Sequence, residues 1–153
     1  MKPLYIFDLD GTLALTEHRQ HILDDKARPD RWKVFFAACV NDLPNVPVIE
    51  TLHRLRLMAD VYIWSGRSSE VRKQTIDWLA EHTALMSHEV ESILRMRDEG
   101  DFTPDEQLKE QWLKDLESDD RRRLVAVFDD RDKVVAMWRA NGVPCFQVAQ
   151  GAF

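Results

Sequence analysis

The sequence predicts an α/β fold around a parallel sheet of five strands. Three observations lead there. Short apolar runs bounded by polar turns stand at 4–7, 61–64, 92–97, 124–128 and 144–148. Between them lie stretches with apolar residues at three- and four-residue steps, the spacing of helices that bury one side. Three of the runs end in polar or charged residues: Asp8 and Asp10, Ser65 and Arg67, and Asp129 and Asp130. Strands alternating with helices make a parallel sheet with right-handed crossovers, and ligands collect beyond the strands' C-terminal ends.

The first strand leads directly into Asp8-Leu9-Asp10-Gly11-Thr12. Side chains alternate along an extended segment, so Asp8 and Asp10 are expected on one side and Leu9 in the core. A polar stretch follows from 14 to 30, holding His18, Arg19, His21 and Arg28. Trp32, Phe35, Phe36 and Cys39 then predict a short amphipathic helix over 31–40. Roughly thirty residues between the first strand and the next major helix exceed a simple connection. Residues 14–47 are therefore expected to form a small helical lid over the site, within one domain spanning 1–153. A turn with two prolines covers 42–47.

Pro47 opens a helix over 48–58, carried by Val48, Ile49, Leu52 and Leu55. The second strand, 61–64, ends in the polar loop Ser65-Gly66-Arg67. Ser68 caps a helix over 69–81. Residues 83–91 read as a short helix or a loop, and 92–97 as the third strand. Thr103 as cap, Pro104 at the first position and two acids predict a helix from there to about 116 that carries Lys109. Residues 118–123 read as a charged loop. The fourth strand ends in Asp129-Asp130, a helix covers 132–141, and 144–148 is an edge strand. Trp64, Trp78, Trp112 and Trp138 lie in apolar periodic segments and read as core or interface.

The composition narrows the class. The chain has 153 residues, is 44% hydrophobic and carries a net charge of −6. It is long enough for one full core. No apolar run approaches membrane-spanning length. The first strand starts so early that no signal peptide is expected before it. The two cysteines, Cys39 and Cys145, have no metal-binding spacing and read as reduced thiols in a cytoplasmic protein. The acidic balance argues against coating nucleic acid in bulk, though a few arginines suffice to grip one phosphate.

Two carboxylates as close as Asp8 and Asp10 repel each other unless a cation or a shared proton relieves them. Asp129 and Asp130 add two more at the same sheet edge. Four carboxylates together call for a cation, and Mg²⁺ suits hard oxygen ligands. The expected metal ligands are Asp8, Asp10, Asp129 and Asp130. Asp8 is the candidate nucleophile on a phosphoryl group, and Asp10 the acid that protonates the leaving oxygen and then activates water. Ser65 and Lys109 supply donors for phosphate oxygens. A solvated Asp-x-Asp-Gly turn is the plain alternative.

These four signals, in this order, resemble the haloacid dehalogenase (HAD) superfamily of phosphatases. Its pattern is Asp-x-Asp-x-Thr, then Ser or Thr, then Lys, then an acidic pair. Asp8, Asp10 and Thr12, then Ser65, Lys109 and Asp129-Asp130 fill every place. The resemblance implies a Rossmann-like three-layer sandwich with the five-stranded sheet in the middle.

A narrower resemblance covers 128–139 and 142–153, the stretch 96–101 with Asp105 and Lys109, and Ser65-Gly66-Arg67 with Arg19. These segments are similar to the 3′-phosphatase domains of bacteriophage polynucleotide kinase-phosphatases. The resemblance implies active-site roles for Arg19, Arg67 and Asp105, so the substrate- or phosphate-contacting set becomes Thr12, Arg19, Ser65, Gly66, Arg67 and Asp105. It implies a Mg²⁺-dependent phosphatase acting on 3′-phosphorylated DNA or RNA ends or nucleotides, with 2′,3′-cyclic phosphates as further substrates. A small-molecule nucleotidase and a phosphate-binding module without activity are the rival readings. No Gly-rich phosphate-binding loop ending in Gly-Lys-Ser/Thr occurs in the sequence, so a kinase or ligase partner is expected to be a separate protein. The expected compartment is the cytoplasm, of the host if the chain is phage-encoded, with no membrane contact.

Overall fold

A computed structural model describes residues 1–152. Phe153, the last residue of the 142–153 segment, lies outside the described residues. The elements in order are β1 (Leu4–Phe7), β2 (Ala14–Leu15), α1 (Glu17–Asp24), α2 (Arg31–Ala37), β3 (Leu43–Pro44), α3 (Val46–Arg56), β4 (Asp60–Ser68), α4 (Arg72–His82), α5 (Ser87–Ile93), β5 (Leu94–Arg97), α6 (Asp105–Lys114), α7 (Ser118–Arg123), β6 (Leu124–Asp129), α8 (Asp132–Ala140) and β7 (Cys145–Gln147). Short 3₁₀ turns at Ala38–Asn41 and Ser69–Val71 extend α2 and precede α4.

The main sheet is parallel throughout, in the order β5-β4-β1-β6-β7. β1 is central because its residues are buried on both faces. Ile6 points into a core with Trp64, Leu108, Trp112, Val134 and Trp138. Phe7 points the other way, onto Leu52, Ile63, Trp78, Leu79 and Val90. Helices α3, α4 and α5 thus cover one face and α6 and α8 the other, giving three layers. The expected α/β sandwich is the observed one.

The register of β1 places the site. Phe7 pairs with Ile63 on one side and Phe128 on the other. The next residue along each strand is Asp8, Trp64 and Asp129, and the Asp8 N–H donates to the Phe128 carbonyl at 2.9 Å. Three chain segments far apart in sequence therefore end side by side.

Several local expectations are corrected. Segment 118–123 is helix, not loop: Asp119 and Asp120 stand in its first turn and Arg121, Arg122 and Arg123 in its last, matching the helix dipole. Ser65, Gly66 and Arg67 lie inside β4, whose pairing with β5 slips between Ser65 and Ser68. The strand expected at 92–97 begins at Leu94, after α5. The cap of α6 is Pro104, while Thr103 turns its N–H to Asp101. Trp32 has its neighbours Phe35 and Phe36 as expected, yet is 44% exposed. Within 14–47, β2 and β3 pair antiparallel and close the excursion at its base. The four tryptophans expected in the interior are buried.

Candidate active site

The chain turns sharply after β1 because Gly11 adopts φ +84°, a conformation side chains disfavour. The turn is tight: the N–H groups of Thr12, Leu13 and Ala14 all donate to the Leu9 carbonyl. It buries Leu9 and Leu13 and returns the Thr12 hydroxyl to Asp8 Oδ2 at 3.1 Å. The other oxygen of Asp8 takes a hydrogen bond from Lys109 Nζ at 2.6 Å, and the same ammonium donates to Asp129 Oδ2 at 2.8 Å. Lys109 reaches this point from the first turns of α6 and is buried.

Asp8, Asp129 and Asp130 each offer an oxygen within 4.8 Å of the others. All three are buried. One ammonium faces three carboxylates. Burial pushes the Asp8 carboxyl well above its usual range despite Lys109. Burial, with the neighbouring Asp129 charge, pushes Asp130 up to about 7. The carboxylates in turn raise Lys109 against the effect of burial. A convergent, all-oxygen, electron-rich trio fits a hard divalent cation. Gly11 makes room for it: a Cβ there would stand 2.1 Å from Asp130 Oδ2.

Asp10 lies apart from that trio. Its Oδ1 accepts from Arg19 Nη2 at 2.8 Å and from Arg67 Nη2. Burial alone would raise its pKa, but the two guanidinium groups outweigh burial and hold the carboxyl below its usual value. Of the four expected metal ligands, the geometry brings three carboxylates together and sets the fourth on arginines.

Both arginines are fully buried, with no exposed side-chain surface. Arg19 also donates from Nε and Nη2 to the two oxygens of Asp42, each at 2.7 Å, and lies 4.2 Å over the Phe35 ring. Arg67 donates to Asp42 at 3.1 Å and to the Thr75 hydroxyl at 3.1 Å. Asp42 further meets His18 Nε2 at 2.8 Å. Sequence reasoning missed Asp42, because an acid beside prolines reads as turn chemistry. It offered no contact for His18.

Ser65 is buried beside Asp8's strand, and its hydroxyl accepts the Arg67 N–H at 3.1 Å. Asp105 accepts from Arg131 Nη1 at 2.8 Å and from Arg97 Nη2. Arg97 also donates to the carbonyls of Gly66, Asp101 and Thr103. It ties the loop before α6 to β4, and nothing in its sequence context signalled that role. Gly66 is required by this approach: a Cβ there would stand 2.4 Å from Asp105 Oδ1. All eleven expected site residues therefore lie in one connected region at the C-terminal edge of β1, β4 and β6.

Residues 2–153 match the family described as the polynucleotide kinase PNKP phosphatase domain. The chain belongs to this family. A chain in the structure of the Pnkp1/Rnl/Hen1 RNA repair complex is 31% identical to it with a TM-score of 0.75, covering 99% of this chain and 44% of that one. A protein of Autographa californica nuclear polyhedrosis virus, whose name describes a bifunctional polynucleotide kinase/RNA ligase, is 30% identical over 90% of this chain and 18% of its own length. This chain thus spans less than half of either relative. The class C acid phosphatase of Bacillus anthracis shares the fold at 14% identity, with a TM-score of 0.63, 99% of this chain and 68% of that one covered. The HAD-like sandwich expected from the motif order is the fold of this PNKP-type domain. No helix among the described residues is long and apolar enough to cross a membrane.

Proposed function

We propose that this PNKP-type domain is a Mg²⁺-dependent phosphohydrolase that removes 3′-phosphates from nucleic-acid ends, through an aspartyl-phosphate on Asp8. The observation that carries the reading is Lys109 bridging Asp8 and Asp129 beside Asp130, in a chain of a polynucleotide end-processing family. Cyclic 2′,3′-phosphates are further candidate substrates.

Asp8, Asp129 and Asp130 would hold the ion. Bound there, it would balance the crowded carboxylates and withdraw charge from phosphoryl oxygens. Lys109 and Thr12 fix both oxygens of Asp8. Asp8 attacks phosphorus, a carboxylate–phosphorus bond forms, and the bond to the 3′ oxygen breaks. The departing alkoxide takes its proton from Asp10. Water then attacks the phosphoaspartate and passes its proton to Asp10, releasing inorganic phosphate and a free Asp8. Arg19 and Arg67 act through Asp10: they favour its ionised form, the base of the second step. Ser65 accepts the Arg67 N–H and keeps its own proton for a phosphate oxygen. Asp105, clamped by Arg97 and Arg131, sets the rim with Gly66. Residues 14–47 form the cap. Kinase and ligase chemistry would come from outside residues 1–153, in keeping with the names of the viral relative and the repair complex.

The test compares phosphate release from a 3′-phosphorylated oligonucleotide, a 5′-phosphorylated one and free mononucleotides, with EDTA and with Mg²⁺ restored. Release from the 3′ end, lost with EDTA and regained with Mg²⁺, is expected. Release from 5′-mononucleotides alone would make the chain a small-molecule nucleotidase.

A further inference from the structure

The segment 26–33, in the excursion between β1 and α3, stands out from the rest of the surface. It carries Lys26, Arg28, Arg31 and Lys33 against one acid, Asp30, in a chain whose net charge is −6. Asp24 and Asp25 precede it. In its midst stands Trp32, the one tryptophan of five that is not buried.

We propose that this segment is a contact surface for a single-stranded polynucleotide, with Trp32 as the platform on which a base stacks. The proposal rests on the end-phosphatase reading above and adds where the strand runs. Two requirements of such a surface are met together: cations for the backbone and an exposed aromatic face for a base.

The segment's position supports this occupant. The Trp32 ring meets Phe35 edge-on with centroids 5.9 Å apart, and Phe35 lies 4.2 Å beneath the Arg19 guanidinium. Arg19 in turn donates to Asp10 at 2.8 Å. A chain of three contacts, through the buried Phe35 and Arg19, thus joins the exposed indole to the proposed acid–base residue. The segment is also held in shape. Arg31 Nη1 donates to the Lys26 carbonyl at 2.7 Å, Arg28 Nε to Asp30 at 2.7 Å, and the Val34 N–H to the Asp30 carbonyl. A pre-formed platform loses little freedom when a base settles on it. Lys26 and Lys33 are exposed, as cations that meet a phosphate backbone must be.

The experiment has two arms. In the first, the chain is titrated with an unphosphorylated ten-nucleotide oligo(dT) or oligo(U) while tryptophan fluorescence is followed. Trp32 is the indole open to solvent, so saturable quenching that Trp32→Phe removes is expected. In the second, kcat/KM is measured on a 3′-phosphorylated ten-mer and on a nucleoside 3′-monophosphate. Trp32→Ala is expected to lower the ratio of the two about tenfold, with Trp32→Phe between it and wild type, and Lys26→Glu with Lys33→Glu to flatten the salt dependence on the ten-mer. Loss of all phosphate release would count against the functional reading, while the fluorescence arm would still decide the platform. Quenching that survives Trp32→Phe, or an unchanged ratio in Trp32→Ala, would overturn the proposal.

Discussion

Arg19 and Asp42 meet side-on, with two nitrogens of the guanidinium each 2.7 Å from a different carboxylate oxygen. Neither side chain reaches solvent. Around them, Arg67 and Asp10 complete a set of two cations and two anions, so the four charges balance. Asp42→Ala leaves two buried guanidinium groups sharing Asp10, and a broken buried pair costs about 3–5 kcal/mol. Its urea midpoint is expected to fall accordingly. Asp42→Asn keeps the shape but not the charge; it is expected to fold, with turnover at least tenfold lower because both arginines then pull on Asp10. Wild-type turnover in a folded Asn variant would show that Asp42 does nothing for Asp10.

Gly11 combines a left-handed backbone with a contact that leaves no room for a methyl group, 2.1 Å from Asp130 Oδ2. Gly11→Ala must strain the turn or displace the Asp130 carboxylate. Displacement spoils one of three convergent oxygens. The Mg²⁺ concentration for half-maximal activity is therefore expected to rise about tenfold or more, read from a metal titration of initial rates. An unshifted titration with normal turnover would mean that Asp130 has no part in holding the ion.

Much of this was legible because the chemistry sits where strands end. Asp8, Ser65, Lys109 and Asp129 are tied to elements with clear periodicity, and β1 pairs with both β4 and β6, so strand ends name the site. What stayed hidden depends on long-range contacts. Asp42 lies 23 residues from Arg19, in a turn whose residues carry no period. Arg97 reads as a strand residue until its guanidinium gathers three carbonyls and Asp105. The split of the four carboxylates was equally invisible: Asp8 and Asp10 are two apart in sequence, yet one faces the ammonium and the other two guanidinium groups. Segment 118–123 was misread because its charges mask a helix that, alone among those of the described residues, buries none of its side chains.

Lys109 is a buried cation set among the trio of buried acids, 2.6 Å from Asp8 and 2.8 Å from Asp129. Lys109→Met removes it and leaves the carboxylates facing each other. In EDTA the variant is expected to lose about 3–5 kcal/mol of stability by urea denaturation, with a smaller loss in Mg²⁺, because a divalent ion offsets the same repulsion. Turnover should drop at least a hundredfold in both conditions, since Asp8 loses the donor that fixes it. Equal stability losses with and without Mg²⁺ would argue that no ion enters among Asp8, Asp129 and Asp130.

Asp10 gives the sharpest test of chemistry. Its two arginines favour the carboxylate, the form that takes the proton from water, so only its minority protonated form serves the leaving oxygen. A nucleoside 3′-alkoxide needs that proton; a nitrophenolate does not. Asp10→Asn removes both roles. With a 3′-phosphorylated nucleotide, attack by Asp8 should itself stall and no product burst should form. With p-nitrophenyl phosphate, attack should proceed and only hydrolysis of the phosphoaspartate should slow. One equivalent of nitrophenol per chain, followed by slow turnover, is the expected rapid-mixing trace. Asp8→Asn in the same mixing experiment should give no burst on either substrate. Steady turnover of the nucleotide by Asp10→Asn at the wild-type rate would assign the proton to some other group.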